Sequence, residues 1–266
     1  MSKFEKMKIA GEKVSQLHNK LIEIFSKNEN SFLHQSSLFL HDFVEKHMQE
    51  LSLISGSKNY KGFPQSLCIS INNKVCHGIA SSKEIIQKGD IISIDIAASF
   101  NGFFGDSCFT YKMGAVKPSD QKLITAAYES MWSAIYLIKN NVKISDLGRK
   151  MEGVAKDFSL YTVREFCGHG IGEKMHDCPD VPFYYDENTT DILKTGDFIT
   201  IEPMVKSTPK GLKIADDNWT AMTRDGSRSA QFEHTIAVLE NGFFVTTFND
   251  FDRLHKKLQS NIQILN

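Results

Sequence analysis

The sequence has no long hydrophobic run and no excess of charge of either sign. Nowhere do its 266 residues approach the roughly 18 consecutive apolar residues that a membrane-spanning helix needs. The charged start, MSKFEKMKIAGEK, also lacks the apolar core of a signal peptide. Lysine and arginine number 31 against 32 acidic residues, so the basic surface of a nucleic-acid binder is missing. These absences predict a soluble, cytoplasmic protein without a nucleic-acid site.

Cysteine is scarce, and its pattern argues against both a disulfide-linked fold and a zinc-stabilised fold. The five cysteines are odd in number and form no C-x-x-C motif, which favours reduced thiols over a disulfide framework or a structural zinc site. No low-complexity linker divides the chain. A content of 41% hydrophobic and 24% charged residues is ordinary for a globular protein with a real core. We therefore expect a single domain over residues 1–266.

The spacing of apolar residues predicts an α+β domain in which helices cover one face of an antiparallel-rich sheet. Apolar residues at helical spacing predict helices at about 4–27, 36–53, 119–140 and 145–158. Turn-forming residues mark 55–66 as a loop. The remaining segments predict hairpins or short strands at 68–79, 91–113, 162–169, 197–205, 212–223 and 231–249. The N-terminal helices, about 4–53, thus precede a core of about 60–250.

An internal repeat suggests a duplicated scaffold. The segment Ile85–Asp95, IIQKGDIISID, aligns without gaps with Ile192–Glu202, ILKTGDFITIE, and five of the eleven positions are identical. The alignment places Asp95 on Glu202, and each lies among apolar strand residues. A buried carboxylate is costly unless it is neutralised, paired or bound to a cation. Two related strands therefore deliver acidic groups to one site.

The clearest hairpin, residues 91–113, brings a second carboxylate next to the first. Asn101-Gly102 is a favoured type I′ turn pair, which fixes the register of the two strands. In that register Asp95 and Asp106 are diagonal neighbours on one face, roughly 7–8 Å apart at Cα. Two carboxylates on a solvated face are the ordinary alternative. The apolar flanking residues favour instead a cation between the two charges.

Three further segments carry residue types that bind metals. Their sequences are CGHGIGEKMHD (167–177), FITIEPM (198–204) and SAQFEHTIAV (229–238). The first places His169 between glycines, and the other two place Glu202 and Glu233 in strands. His234, beside Glu233, points to the opposite strand face and is expected to be structural. Four carboxylates and one imidazole suit ions such as Mn, Fe, Co or Zn, and two ions about 3.5–4 Å apart would activate a water for hydrolysis.

At these residues the sequence resembles a known family, the type I methionine aminopeptidases of the pita-bread metallopeptidase fold. The resemblance runs from about residue 4 to 250. Its motifs occur in the family's order and read CISINNKVCHGI, IDIAASFNGFFGDS, REFCGHGIGEKMH, ITIEPM and SAQFEHT. The pseudo-twofold symmetry of that fold would also explain the internal repeat.

The resemblance implies an activity and assigns roles to residues of this sequence. The expected activity removes an N-terminal methionine when the second residue is small, by hydrolysis with a water that bridges two divalent ions. The implied metal ligands are Asp95, Asp106, His169, Glu202 and Glu233. Glu202 would also accept a proton, while His77 would lie near the amide nitrogen and His176 would donate to the carbonyl oxygen. The implied walls of the methionine pocket are Tyr60, Phe63, Cys68, Met175 and Trp219.

The resemblance also implies partners and leaves alternatives open. Nascent polypeptide N-termini near the ribosome would be the substrates of a monomeric enzyme carrying two ions of Co, Mn, Fe(II) or Zn. Lys61, Ala80 and Met175 depart from residues that are common in the family. Prolidase and aminopeptidase P use the same scaffold, but they usually carry a large N-terminal domain. A catalytically inactive binding protein is the second alternative, although such relatives typically lose metal ligands.

Overall fold

The computed structural model describes residues 1–28 and 30–254. Its helices are α1 (Lys3–Lys27), α2 (Ser37–Glu50), α3 (Pro118–Ile135), α4 (Ile144–Asp157) and α5 (Asp250–Leu254). A capping box starts α1, because the Glu5 amide donates to Ser2 Oγ at 3.2 Å and the Ser2 amide donates to Glu5 Oε2 at 2.7 Å. These bounds confirm the four predicted helices, although α2 and α3 end before the predicted residues 53 and 140. After Ile135 the chain tightens into three-residue hydrogen-bonded turns, so α3 ends before residue 140.

The strands are short except for one long hairpin. They are β1 (Ile54–Ser55), β2 (Cys68–Ile71), β3 (Lys74–Cys76), β4 (Ile91–Phe100), β5 (Phe103–Lys112), β6 (Tyr161–Thr162), β7 (Cys167–Gly170), β8 (Asp177–Pro182), β9 (Phe198–Ile201), β10 (Met204–Lys206), β11 (Leu212–Ile214), β12 (Ala221–Thr223), β13 (Ser229–Gln231), β14 (His234–Leu239) and β15 (Gly242–Val245). Every strand pair among the described residues is antiparallel.

The strands form four small sheets, whereas the sequence predicted one. β4 pairs with β5 along one edge and with β1 and β2 along the other. The largest sheet has the order β15-β14-β9-β7-β8. The other two sheets have the orders β13-β10-β6 and β11-β12-β3. Several predicted strands are each divided in two, because the chain leaves one sheet and joins the next within a few residues.

The β4–β5 hairpin has the register that its turn predicts. Asn101 and Gly102 have φ of 50° and 80°, the left-handed values of a type I′ turn. Phe100 then pairs with Phe103, and the ladder continues to the far ends of both strands. Asp95 and Asp106 therefore lie on the same face of the hairpin, as expected.

The internal repeat is a repeat of structure as well as of sequence. Gly89 and Gly196 occupy equivalent turns with φ of 89° and 94°, a region that residues with a Cβ rarely adopt. In each turn the following aspartate, Asp90 or Asp197, accepts a backbone N–H at 2.8 Å. The turns lead into β4 and β9. Just before each turn an isolated β-bridge joins the repeat to the residue that precedes a helix, Ile85 to Ser36 before α2 and Ile192 to Lys143 before α4. Two related halves thus present β4 and β9 to one centre.

A threonine joins the two halves beside that centre. Thr235 of β14 accepts the Asp106 amide at 2.9 Å through its Oγ1 and donates the same hydroxyl to the Asp106 carbonyl at 2.8 Å. Next to it the Glu233 amide donates to the Cys108 carbonyl at 2.8 Å. These bonds therefore hold β5 against the start of β14. These bonds fix the main-chain positions of Asp106 and Glu233 and do not involve their carboxylates.

The helices pack on the outer face of these strands, and α1 crosses the β4–β5 hairpin closely. A Cβ on Gly11 of α1 would lie 2.5 Å from Thr246 Oγ1, and one on Gly105 of β5 would lie 2.9 Å from the Gly11 Cα. α1 and β5 can approach each other this closely because both residues are glycines and have no Cβ. No helix of the described residues has the length and apolar character needed to cross a membrane.

Candidate metal centre

Five potential metal ligands meet at the junction of the two halves. Ligand atoms of Asp106, His169 and Glu233 all lie within 4.8 Å of one another. Glu202 joins them, with its Oε1 3.5 Å from His169 Nε2. Asp95 lines the same pocket from β4. The structure therefore brings all five sequence-predicted ligands together.

The two glutamates lie at chain crossovers, and here the predicted secondary structure was wrong. β9 ends at Ile201, one residue before Glu202, because Pro203 has no N–H to continue the ladder. Glu233 lies between β13 and β14, where the chain passes from one sheet to another. The two crossovers face each other, since Ile201 pairs with His234. Both carboxylates thus leave the ladders at one place and project into the centre.

His169 reaches the centre because glycines let β7 lie tightly between its neighbours. A Cβ on Gly168 would lie 2.7 Å from the Thr200 carbonyl oxygen, and one on Gly170 would overlap the carbonyl of Cys178. The His169 Nδ1 lies 3.0 Å from the Gly170 carbonyl, to which only a protonated nitrogen can donate. Nε2 is then left with a free lone pair that faces Glu202. This is the orientation that metal-binding histidines use.

Thr200 and Gln231 support the centre, and sequence reasoning missed both. Thr200 donates its hydroxyl to Glu202 Oε1 at 2.9 Å and accepts the His169 amide at 2.9 Å. Gln231 donates from Nε2 to Glu202 Oε2 at 3.4 Å. Each lies two residues before a predicted ligand. The two-residue period of a strand could have revealed them, because it places such neighbours on one face.

Burial and mutual repulsion disfavour the charged forms of the acidic side chains in this centre. Desolvation raises the pKa of Asp95 to about 7. The pKa values of Asp106, Glu202 and Glu233 are raised well above their ordinary values, first by burial and then by the neighbouring carboxylates. Burial lowers the pKa of His169 to about 4, so its imidazole is neutral at pH 7. A neutral imidazole is the form that binds metals.

This donor set fits divalent ions. Four carboxyl groups with raised pKa values and one imidazole that is neutral at pH 7 lie together. The buried Oδ1 of Asp106 has no hydrogen-bond partner among the described residues. A buried polar atom normally has a partner, and a cation would supply one here. Oxygen and nitrogen donors in this proportion match the ions expected from the sequence.

A pocket of about 610 Å³ opens onto the centre and contains every sequence-predicted site residue. Its lining includes the expected side-chain walls Tyr60, Phe63, Cys68, Met175 and Trp219, together with His77 and His176. Further residues that the sequence did not indicate are Ser57, Glu165, Phe166, Cys167, Asp177, Cys178, Asp180 and Met204. They lie in loops or near strand ends, where no sequence periodicity marks them.

The two non-ligand histidines pack against different residues of the pocket wall. His77 has a φ of 54°, a strained value for a residue with a Cβ, and its ring packs edge-on against Phe166 at 5.3 Å. His176 lies against His169 and Tyr60, with ring centroids 4.2 and 4.9 Å apart. Burial lowers the pKa of His77 to about 4, and it lowers the pKa of His176 as well.

His234 and Cys76 lie outside the pocket. The His234 ring is fully buried, with Nδ1 2.9 Å from Thr247 Oγ1 and Nε2 3.2 Å from Asp252 Oδ2. The structural role expected for His234 is therefore confirmed. Cys76 belongs to the hydrophobic core, whereas Cys68 lines the pocket. All five cysteines are free thiols.

Comparison with known proteins defines the class. The profile of the family described as Metallopeptidase family M24 matches residues 5–240. The chain belongs to this family of metallopeptidases. This membership agrees with the duplicated halves and with the carboxylate-rich centre between them.

Relatives that cover most of the chain are named methionine aminopeptidases. The chain is 38% identical over 208 residues to methionine aminopeptidase 1 of Bacillus subtilis (strain 168), covering 78% of this chain and 84% of the relative. It is 34% identical to the methionine aminopeptidase of Buchnera aphidicola subsp. Acyrthosiphon pisum (strain APS), with 97% and 96% covered. The crystal structure of methionine aminopeptidase from Rickettsia prowazekii superposes with a TM-score of 0.86 at 34% identity, covering 92% of this chain and 97% of that one. The resemblance and the pita-bread fold inferred from the sequence are confirmed.

Proposed function

We propose that this protein removes the N-terminal methionine from nascent proteins and peptides whose second residue is small. The observation that carries the proposal is a pocket in which the five proposed metal-ligand side chains meet a wall of aromatic and sulfur-containing side chains. Relatives that cover most of the chain are named methionine aminopeptidases, and they support the same reading.

Two divalent ions fit the proposed ligand set. Asp106 and Glu233 would bind both ions, Asp95 would complete one, and His169 with Glu202 would complete the other. When bound, the ions would polarise the substrate carbonyl and lower the pKa of a water between them. Carboxylates whose pKa values are raised without metal support this role, because ion binding would stabilise their charged forms.

Three side chains of the pocket would move or hold protons during hydrolysis. Glu202, oriented by Thr200, would accept the proton that the attacking water loses. His176 would donate a hydrogen bond to the carbonyl oxygen as negative charge develops on it. His77, which also lines the pocket, would hold the peptide near the scissile amide nitrogen. Its strained backbone supports a functional role, since such strain collects at active sites.

The remaining walls would select the substrate side chain. Phe63 and Trp219 pack edge to face with ring centroids 5.2 Å apart, and Tyr60 adds a third ring. Cys68 and Met175 are both buried and contribute polarisable sulfur. An unbranched thioether is suited to such a surface. The reacting carbonyl must lie beside the metals and both histidines, which leaves room for only a small second residue.

The organisation and setting of the enzyme are also part of the proposal. The predicted domain of residues 1–266 would be one catalytic unit, in which the N-terminal helices pack against the core; residues 255–266 of it lie outside the described residues. The enzyme would act as a monomer in the cytoplasm, on N-termini emerging near the ribosome. Co, Mn, Fe(II) or Zn would serve as the ion, and the ligand set accommodates each of them.

A peptide panel tests the function. We expect the metal-loaded protein to cleave Met-Ala-Ser, and to cleave Met-Lys-Ser and Leu-Ala-Ser at least about a hundredfold less efficiently, or about 2.7 kcal/mol in transition-state binding. Gly-Pro and Xaa-Pro-Xaa peptides report on the prolidase and aminopeptidase P alternatives. Cleavage of these in preference to Met-Ala-Ser would overturn the proposal. No cleavage of any peptide by metal-loaded protein would favour the inactive binder.

A further inference from the structure

One wall of the pocket is a loop with an unusual backbone. Residues 56–66, here called the wall loop, carry Tyr60, Lys61 and Phe63 into the pocket. Asn59 and Lys61 both have left-handed backbones, with φ of 67° and 48°. Residues with a Cβ adopt this region at a cost, so contacts from the surroundings must hold the loop in place.

Helix α2, which lies outside the pocket, supplies such contacts to both arms of the wall loop. Glu45 Oε1 accepts a hydrogen bond from Lys58 Nζ in the first arm at 3.1 Å. The same oxygen accepts a short hydrogen bond from the Ser66 hydroxyl in the second arm. One turn earlier, His41 Nε2 accepts the Ser66 amide at 3.2 Å. A single carboxylate oxygen thus joins the two ends of the loop.

The contact of Glu45 with Ser66 should hold the wall loop more strongly than its contact with Lys58, because Ser66 is buried. Ser66 is 2% exposed and His41 is 5% exposed, so neither can exchange its partner for bulk water. The Lys58 contact is half in solvent, where ion pairs contribute little. His41, Asp42 and Glu45 are close enough to hold a metal ion, yet Glu45 Oε1 and His41 Nε2 are already used by the loop. The cluster therefore acts as a clamp on the loop.

We propose that Glu45 is a positioning residue that fixes the wall loop and thereby the shape of the methionine pocket. The loop's aromatic rings transmit its position, because Tyr60 packs on His176 and Phe63 packs on Trp219. The metal ligands lie on strands and crossovers that Glu45 does not touch. Loss of the Glu45 contacts should therefore weaken substrate binding and have little effect on the rate of the chemical step. This inference rests on the proposed function of the pocket.

The test is steady-state kinetics of Glu45→Ala on Met-Ala-Ser with the wild-type metal complement. We expect KM to rise about tenfold while kcat stays within about twofold, the pattern of lost uniform binding. Metal content should equal that of the wild type. Ser66→Ala should raise KM similarly, and the double variant should add little, because both changes break one contact. Glu45→Gln keeps an acceptor for Ser66 and should restore most of the binding.

Glu50→Ala is the matched control, since Glu50 lies on the same helix with its side chain 55% exposed. Its KM should equal that of the wild type. An unchanged KM in Glu45→Ala, or a fall in kcat without a rise in KM, would overturn the inference while the proposed function stood. A wild-type protein inactive on Met-Ala-Ser would overturn the proposed function itself. If Glu45→Ala fails to fold, Ser66→Ala decides the question: a KM raised about tenfold with kcat within about twofold supports the inference, and an unchanged KM overturns it.

Discussion

Replacing Asp106 with asparagine should impair metal-dependent activity without impairing the fold. The fold should survive, because the hydrogen bonds that fix Asp106 to Thr235 use its main-chain N–H and carbonyl. The side chain should tolerate the change in shape, since asparagine and aspartate are nearly isosteric. What is lost is the charge of a ligand that we propose contacts both ions. Activity should fall by about 3 kcal/mol or more in transition-state stabilisation, over about a hundredfold in rate.

The expected loss is large because Asp106 is one of the two side chains that we propose contact both ions. Asp106 is 5% exposed, and its Oδ1 has no other hydrogen-bond partner among the described residues. Its pKa is raised well above the ordinary value by burial and by Asp95 and Glu202, so holding the ionised carboxyl in this site without a cation is unfavourable. Metal-free Asp106→Asn should therefore unfold at a temperature at least as high as metal-free wild type.

The assay combines kcat/KM on Met-Ala-Ser, metal content and thermal unfolding, each measured with and without metal. Asp157→Asn, an exposed aspartate at the end of α4, is the control and should match the wild type in all three. If Asp106→Asn kept more than about a tenth of the wild-type turnover with full metal content, its assignment as a shared ligand would be wrong. A large drop in the unfolding temperature of the metal-free variant would contradict the electrostatic reasoning.

Two further predictions concern the histidines and the pH dependence. His176→Ala should lower kcat and kcat/KM together, whereas His77→Ala should mainly raise KM, and both should keep wild-type metal content; loss of an ion from either would show a misassigned ligand. The folded-state pKa of Asp95, about 7, lies above its ordinary value, so ionisation of Asp95 destabilises the metal-free fold increasingly as pH rises from about 4 to 7. Metal-free Asp95→Asn should therefore gain unfolding temperature over metal-free wild type as pH rises from 5 to 7.5, and a pH-independent difference would contradict this assignment.

Local patterns in the sequence predicted how the β4–β5 hairpin places Asp95 and Asp106. The Asn101-Gly102 turn sets a two-residue loop, and strand alternation then places Asp95 and Asp106 on one face. The internal repeat indicated that β4 and β9 play equivalent parts, and the matching turns at Gly89 and Gly196 bear this out. These features depend on short stretches of chain, so they can be worked out from the sequence alone.

Other features depend on contacts between distant segments, and the sequence did not reveal them. The junction at Thr235 joins residues 129 positions apart, and nothing local marks it. Strand crossovers at Glu202 and Glu233 looked like continuous strands, because apolar residues continue on both sides of each. The Glu45 clamp joins α2 to a loop 21 residues further along the chain, and no spacing rule covers such a contact.

Metal dependence of catalysis is the most direct test of the account. Protein freed of metal by chelation should not cleave Met-Ala-Ser, and it should regain activity when Mn, Fe(II), Co or Zn is added separately. Metal analysis and calorimetric titration of the same samples should give two bound ions per chain at saturation. The Asp106→Asn protein, titrated alongside, should bind fewer ions. Full activity of protein that contains no divalent ion would contradict the account.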